Sequence, residues 1–162
     1  LDNDISQNFW ELLVKNGATE CGLGARDVLR LEAALALHGN EITEKTNPFE
    51  AQLSRFVELD RENYIVNNTL NNIKSQELSK KLIGFEIQGR NIARSHNIIK
   101  DNNNNTIGEV TSGSYSPTLS KSIGLGYVSD KSLDINSEIT IEIRSKNIPA
   151  KITKIPFYKR SK

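Results

Sequence analysis

The spacing of apolar residues changes near residue 80 from the period of an α-helix to the period of a β-strand. The stretch EITIEIR shows the strand period most clearly, because Ile139, Ile141 and Ile143 share one face and polar residues occupy the other. The alternation resumes over residues 148–152, after a turn-like SKN, which predicts a β-hairpin. Similar alternation occurs at Ile83, Phe85 and Ile87, and at Ile123, Leu125 and Tyr127. The second half of the chain is therefore predicted to be antiparallel β-structure.

The first half has the periodicity of helices. An amphipathic helix is predicted over residues 5–16, with Asp4 as a cap and Gly17 as part of the stop. A second helix is predicted over residues 24–37, because alanine is frequent there and the sequence His38-Gly39-Asn40 supplies a stop signal.

The middle of the chain has mixed signals. Residues 49–59, FEAQLSRFVEL, favour a strand, and residues 64–73 favour a short helix. The polar stretch SQELSKK, residues 75–81, is a natural boundary between the two halves. Residues 111–119, TSGSYSPTL, are predicted to form a turn held by side-chain hydrogen bonds, because small hydroxyl residues surround a glycine and a proline.

Charge and composition restrict the classes of function. Lys and Arg number 21 against 20 Asp and Glu, so the net charge of +1 favours neither nucleic acid nor an anionic membrane as a partner. A soluble chain is expected, because no apolar run approaches the roughly 20 residues that cross a bilayer and LDNDISQNF does not resemble a signal peptide. The single cysteine, Cys21, excludes an intrachain disulfide and is predicted to be buried. Without any methionine, the chain is expected to be part of something longer.

The segment GLGARD opens the second helix with an unusual arrangement of charges. Arg26 and Arg30 lie four residues apart on one face, where like charges repel by a few tenths of a kcal/mol. Asp27 is predicted to pair with Arg30, which leaves Arg26 without a local partner. Arg26 is then either solvated, or bridged to a neighbouring element, or bound to a carboxylate of a ligand or a ligand site. A dinucleotide site is disfavoured, because Asp27 would repel a pyrophosphate at this helix terminus.

Other candidate groups have ordinary structural interpretations. His38 is predicted at a helix C-terminus, where its charge would favour the helix dipole. A serine nucleophile in residues 111–119 would need a histidine base, and only His38 and His96 exist, so hydrolase chemistry is disfavoured. The tail YKRSK, residues 158–162, is predicted to be a small solvated basic patch.

Five collinear stretches resemble one known family. They are GLGARDVLRLEAALALHGNEI, TNPFEAQL, KLIGFEIQGRNIAR, IGEVTSGSYSPTLSKSIGLGYV and PAKITKIPFY. Together they resemble the carboxyl-terminal half of an aminomethyltransferase, the T-protein of the glycine cleavage system. The resemblance implies an α+β chain, in which residues 1–78 are the remaining part of a folate-binding α/β domain. Residues 79–162 would then form a C-terminal antiparallel β-barrel domain.

The resemblance also implies a reaction and its partners. The family takes the aminomethyl group carried on the lipoyl arm of H-protein, releases ammonia and delivers the methylene to tetrahydrofolate. Tetrahydrofolate is the co-substrate, and no metal, nucleic acid or membrane is implied. The expected compartment is the cytoplasm of a bacterium, or the mitochondrion otherwise.

Site residues follow from the same resemblance. Arg26 would line the folate site, where its missing anion would be a carboxylate of folate or of the site. Lys159, Arg160 or Lys162 would approach the anionic glutamyl end of folate. The catalytic aspartate and a folate-contacting glutamate are expected in sequence that precedes Leu1. No catalytic residue is therefore assigned within the chain, and its 162 residues are expected to be inactive in isolation.

The sequence departs from the family at several positions. His38 stands where the family usually has tyrosine, and Arg55 lies near a usual tryptophan. Residues 64–70, YIVNNTL, replace an FIGREAL-like stretch, and His96-Asn97 replaces Gly-Tyr. These departures leave open a diverged, non-catalytic folate-binding scaffold or a folate-dependent demethylase relative.

Overall fold

Helices occupy the first half of the chain and strands the second. The structure, a computed structural model, describes residues 2–60 and 65–160. The described helices are α1 (Asn3–Lys15), α2 (Leu23–Glu32) and α3 (Asn67–Ser75), with a 3₁₀ turn at Ser54–Phe56. The strands are β1 (Lys81–Ile87), β2 (Ile98–Lys100), β3 (Thr106–Ser116), β4 (Lys121–Val128), β5 (Glu138–Ile143) and β6 (Lys146–Thr153). None of the helices within the described ranges has the length and apolar character to span a membrane.

The six strands form a closed antiparallel barrel. Their order around the barrel is β1-β4-β3-β2-β5-β6, and β6 pairs back onto β1. Closure leaves no unpaired edge strand, which removes the usual route to edge-to-edge association. The prediction of an α+β chain with a C-terminal antiparallel barrel is confirmed.

The barrel is filled from one face of each strand. Phe85, Ile99 and Ile141 are completely buried in its interior. Strand β4 instead turns Ile123, Leu125 and Tyr127 outward, where they pack with Leu31 of α2. The shared face predicted for these three β4 residues is therefore correct, and it faces the helical segment.

Glycines on the inner face of β4 make room for the barrel core. Gly124 lies opposite Phe85 in the β1–β4 register, and a Cβ at Gly124 would overlap the Phe85 ring. A Cβ at Gly126 would lie 2.7 Å from Cδ1 of Ile99. The alternation IGLGY thus pairs large residues outside with glycine inside, because the narrow interior is already occupied.

The β5–β6 hairpin was predicted one residue out of place. Its turn is Arg144-Ser145, with φ of 50° and 60°, and Lys146 already belongs to β6. Two consecutive residues with positive φ form the type I′ geometry that matches the twist of paired strands. The predicted partner strand is confirmed, since Ile141 lies opposite Ile148.

Helix α1 begins two residues before its predicted start and ends at Lys15, one residue earlier than predicted. Asp4 lies in its first turn rather than at the N-cap, where Asp2 stands without a side-chain capping bond. Gly17 follows the end of the helix with φ of 92°, so the predicted stop signal is correct.

Helix α2 ends five residues before the predicted stop at residue 37. Ala34 adopts φ of 52°, and the Leu35 amide donates to the Arg30 carbonyl at 2.8 Å. The Ala34 amide donates to the Leu31 carbonyl at 2.9 Å, which completes a Schellman motif. Alanine occupies the left-handed position that glycine usually takes, so the glycine signal at residues 38–40 was misleading.

The middle of the chain contains no strand at residues 49–59 within the described part. The Asn47 side chain accepts from the Phe49 and Glu50 amides at 3.0 and 2.9 Å, which holds a series of turns instead. The short helix predicted at residues 64–73 exists as α3, which begins later, at Asn67; residue 64 lies outside the described ranges.

The predicted turn at residues 111–119 is mostly strand. Thr111 through Ser116 belong to β3, and the turn occupies residues 117–120. Its side-chain support is present, because the Leu119 amide donates to Ser116 Oγ at 3.0 Å. Strand β2 was not predicted, because three residues are too few to show alternation.

We expect Gly124→Ala to lower the free energy of unfolding by at least about 2 kcal/mol, because the added methyl would displace the Phe85 ring or the backbone of β3. Gly24→Ala is the matched control, since nothing lies within 4 Å of a Cβ at that position of α2. The control should be neutral or stabilising by up to about 1 kcal/mol. Urea denaturation of both variants measures the difference, and equal midpoints would contradict the tight inner face of β4.

Candidate functional site

Helix α2 and the loop after it lie against the outer face of the barrel. Leu31 is completely buried and packs in the cluster formed by Leu82, Leu125 and their neighbours. The apolar part of this surface comes from Leu82 of β1 and from Ile123, Leu125 and Tyr127 of β4. The burial of Leu31 determines which residues of α2 face the barrel and which face away.

Arg30 is the polar centre of this junction. Its Nε donates to Asp27 Oδ1 at 2.8 Å, which confirms the predicted pair within α2. Its Nη1 donates to Glu41 Oε2 at 3.0 Å, and its Nη2 donates to Ser112 Oγ of β3 at 2.9 Å. The Arg30 side chain is only 10% exposed, so these bonds operate largely away from water.

The buried carboxylate of Glu41 is the charged partner of Arg30. Its side chain is fully buried, and it accepts from the Leu37 amide at 2.9 Å and from Thr111 Oγ1 at 2.6 Å. The Glu41 carbonyl accepts from the Tyr127 hydroxyl at 2.8 Å. Burial, and then the nearby charges of Glu41 and Glu50, raise the pKa of Tyr127 well above its usual range, so the phenol stays protonated as a donor.

Two further buried glutamates join the helical segment to the barrel. Glu32 accepts from Ser116 Oγ at 2.5 Å, and its carbonyl accepts from the Tyr158 amide at 2.9 Å. Glu50 accepts from Ser79 Oγ at 2.6 Å, and its carbonyl accepts from the Leu82 amide at 3.3 Å. The structural roles of Glu32, Glu41 and Glu50 were not predicted from the sequence, because their partners on the barrel side lie far away along the chain.

Arg26 differs from Arg30 in both the exposure and the bonding of its side chain. It is exposed, and among the described residues its side chain donates no hydrogen bond and forms no ion pair. The prediction that Arg26 lacks a local partner is therefore correct. Its assignment to a folate site remains a prediction.

Helices α1 and α2 expose many large apolar residues. No residue of α1 is buried. The exposed large apolar residues of the two helices are Ile5, Phe9, Trp10, Leu12, Leu13, Val14, Leu23 and Leu29. Cys21 lies between the two helices and is also exposed, so the prediction that it is buried is wrong. Apolar patches this large on a single chain usually mark an interface.

The histidines stand apart from any catalytic arrangement. His38 is exposed beyond the true end of α2, where its backbone pairs with Ile42, so it is not the helix C-terminal residue that was predicted. His96 is exposed, with its Nδ1 at 3.6 Å from a Glu109 carboxylate oxygen. Over the described ranges no serine hydroxyl bonds to either histidine, and no group of three potential metal ligands occurs.

The C-terminal tail returns to α2. Its attachment is the bond from the Tyr158 amide to Glu32, and Lys159 lines a cavity of about 460 Å³ together with Ala33, Ala34 and Arg55. Arg160 is exposed, as the prediction of a solvated patch requires. Lys162, the third tail residue assigned to the folate end, lies outside the described residues.

We expect Arg30→Met to lower the free energy of unfolding by about 3–5 kcal/mol, because it leaves the Glu41 carboxylate buried without its cation. Arg26→Met, one turn earlier on the same helix, should change it by less than about 0.5 kcal/mol. The double variant Arg30→Met/Glu41→Gln should recover part of the lost free energy of unfolding, because it also removes the buried charge. Urea denaturation compares the variants, and similar losses at residues 26 and 30 would show that Arg30 is not the structural arginine.

Two family models match the chain in succession. Residues 1–61 match the GCVT N-terminal domain, and residues 80–159 match the glycine cleavage T-protein C-terminal barrel domain. The division predicted between residues 78 and 79 remains a prediction. Together the two matches cover most of the chain.

Known proteins agree with these matches. An aminomethyltransferase of Synechococcus elongatus is 46% identical over 154 residues, which cover 94% of this chain and 41% of that protein. One from Nostoc sp. is 41% identical over 163 residues, covering 99% of this chain and 43% of that protein. The crystal structure of glycine cleavage system aminomethyltransferase T from Bartonella henselae matches with a TM-score of 0.86 and 31% identity.

The match to the Bartonella structure covers 96% of this chain and 44% of that one. The chain thus spans less than half the length of the relatives it matches. Over its own length it has the fold and both domain signatures of one family. The chain belongs to the glycine cleavage T-protein family of aminomethyltransferases.

Proposed function

We propose that these 162 residues are the carboxyl-terminal part of an enzyme that transfers a one-carbon group to tetrahydrofolate. The donor is the aminomethyl group on the lipoyl arm of H-protein, and ammonia is released. The observation that carries the proposal is the ordered match of both domains to a family whose relatives are named aminomethyltransferases. The cyanobacterial origin of those relatives supports the cytoplasm of a bacterium as the compartment.

The role proposed for Arg26 is electrostatic. Its neighbour Arg30 anchors α2 on the barrel through Glu41 and Ser112, so the helix that carries Arg26 has a defined position. Arg26 itself is exposed and unpaired among the described residues, so its donors are available to an incoming carboxylate. A guanidinium does not deprotonate near neutral pH, so Arg26 binds and orients rather than transfers a proton.

The tail supplies a second positive region near the same helix. Tyr158 is bonded to Glu32 at the end of α2, and Lys159 follows it into the cavity beside Ala33. Lys159 and Arg160 could therefore attract the anionic glutamyl end of folate.

The rest of the folate site is proposed to come from the other part of the full-length protein, which corresponds to the region of the relatives that these residues do not match. The catalytic aspartate and the folate-contacting glutamate are assigned there. The apolar surface of α1 and α2 supports this arrangement, since Phe9, Trp10, Leu12 and Leu23 would otherwise stay in water. Residues 1–78 would then complete a folate-binding domain only together with that part.

A non-catalytic folate-binding scaffold is the second candidate. Arg55 stands near a usual aromatic position, where it is exposed and stacks on Phe56 with its Cζ 4.7 Å from the ring centroid. His38 is likewise exposed where tyrosine is usual. Both substitutions change surface rather than core, so they would alter ligand or partner contacts without unfolding the chain.

Activity separates these candidates. A full-length protein that contains these residues should release ammonia from aminomethyl-loaded H-protein when tetrahydrofolate is present. Residues 1–162 alone should show no turnover above the uncatalysed rate. Tetrahydrofolate binding without ammonia release would favour the scaffold, and methyl transfer from a sulfonium donor would favour a demethylase. Turnover by residues 1–162 alone would contradict the assignment of the catalytic groups to the remainder.

We expect Arg26→Ala in the full-length protein to weaken tetrahydrofolate binding by roughly 10- to 100-fold, the loss of one charge-assisted contact of about 1.5–3 kcal/mol. Titration calorimetry measures this change. Lys74→Ala is the matched control, because Lys74 is an exposed cation in the last turn of another helix, α3. Unchanged affinity in Arg26→Ala would remove Arg26 from the folate site.

A further inference from the structure

A basic cavity of about 470 Å³ lies at one end of the barrel, and the proposed transfer reaction does not use it. It is formed by the loop between β1 and β2 and by the β5–β6 hairpin. Its lining residues are Arg90, Asn91, Ile92, Arg94, Asn97, Ile143, Arg144 and Lys146. Four of these eight residues carry a positive charge, and none carries a negative charge.

The four cations of this basic cavity differ from other basic residues of the barrel. Lys100 is paired with Glu142 at 2.6 Å, and Lys121 is paired with Glu86 at 2.7 Å. By contrast, Arg90, Arg94, Arg144 and Lys146 are exposed and form no ion pair within the described ranges. The net charge of the chain is only +1, so this local excess is not a consequence of overall composition.

The loop that carries the two arginines is firmly attached to the barrel. Ala93 is completely buried, and its carbonyl lies against Gly113 of β3, where a Cβ would overlap it. The Arg94 amide donates to Asn97 Oδ1 at 2.8 Å, and the Asn97 carbonyl accepts from the Val110 amide at 2.9 Å. A site that is already ordered loses less conformational entropy on binding.

The residues that line the basic cavity all belong to the barrel, and none comes from the helical segment. Strand β1 starts at Lys81, directly after that segment, and reaches the end of the barrel that bears the cavity at Ile87. Antiparallel pairing brings the Arg144-Ser145 turn to this same end, because β6 pairs with β1 and Ala150 lies opposite Ile87. The basic cavity is therefore a second surface, distinct from the junction at α2.

The composition of the basic cavity favours carboxylates on a protein. Three of its four cations are arginines, whose planar guanidinium groups bind carboxylates in pairs of hydrogen bonds. Ile92 and Ile143 add apolar surface to its lining, and arginine with apolar residues is typical of protein interfaces. No aromatic residue lines it, although single-stranded nucleic acid is usually bound by stacking on aromatic rings.

We propose that the basic cavity at this end of the barrel is a docking surface for a partner protein that presents clustered aspartate and glutamate side chains. Arg90 and Arg94 approach the partner from the β1–β2 loop, and Arg144 approaches from the hairpin tip. The carboxylates lie between them, and the two isoleucines contact the apolar stems of the partner's side chains. This inference does not depend on the transfer reaction proposed above.

The test uses the full-length protein and a fluorescent peptide rich in glutamate and aspartate, with binding followed by anisotropy at low and at physiological salt. The double variant R90E/R144E should weaken peptide binding by at least about tenfold, because it reverses two of the converging charges. The control K151E/K154E makes the same change in net charge at exposed lysines outside the basic cavity, and should weaken binding by less than about twofold. R90K/R144K keeps both charges but loses the paired guanidinium hydrogen bonds, so its loss should lie between those of the other two variants.

Two competing probes identify other occupants. They are single-stranded DNA of matched charge and vesicles containing phosphatidylserine. Tighter binding of either probe through Arg90 and Arg144 would overturn the proposal of an acidic protein surface. Equal losses in R90E/R144E and K151E/K154E would show a general charge effect and would also overturn it. The thermal unfolding midpoints of all variants should agree with the parent, because the substituted side chains are exposed.

Discussion

The contact between Arg30 and the buried carboxylate of Glu41 joins the two halves of this structure. Arg30 extends from α2 to Glu41 and to Ser112 of the barrel, while Thr111 of β3 donates to the same carboxylate. A charge as deeply buried as Glu41 is tolerated only when its oxygens are fully bonded. The position of α2 on the barrel, and hence the direction of its exposed face, depends on this contact.

The barrel has a second constraint, which is its narrow interior. Phe85 and Ile99 fill it so completely that β4 must place glycine opposite them. The large residues of β4 are thereby turned outward, and they supply the apolar surface on which Leu31 packs. The alternation of glycine and large residues in β4 therefore determines both how the barrel core is packed and which apolar surface contacts α2.

Three exposed surfaces remain available for function. The apolar residues of α1 are exposed, Arg26 lies exposed near the start of α2, and the basic cavity opens between the β1–β2 loop and the β5–β6 hairpin. Their chemistries differ, since the first favours an apolar partner, the second a single carboxylate and the third a cluster of carboxylates.

Periodicity and short-range pairing in the sequence determined the α+β division, four of the six strands, the pair of Asp27 with Arg30, and the isolation of Arg26. These features depend on neighbours within one or two turns, so local spacing is sufficient to predict them. Tertiary structure alone decided that α2 ends at Glu32, that Cys21 is exposed, and that Glu41 and Ser112 accept hydrogen bonds from Arg30. Those partners lie 11 and 82 residues from Arg30, and only packing of the helix on the closed barrel brings them within bonding distance.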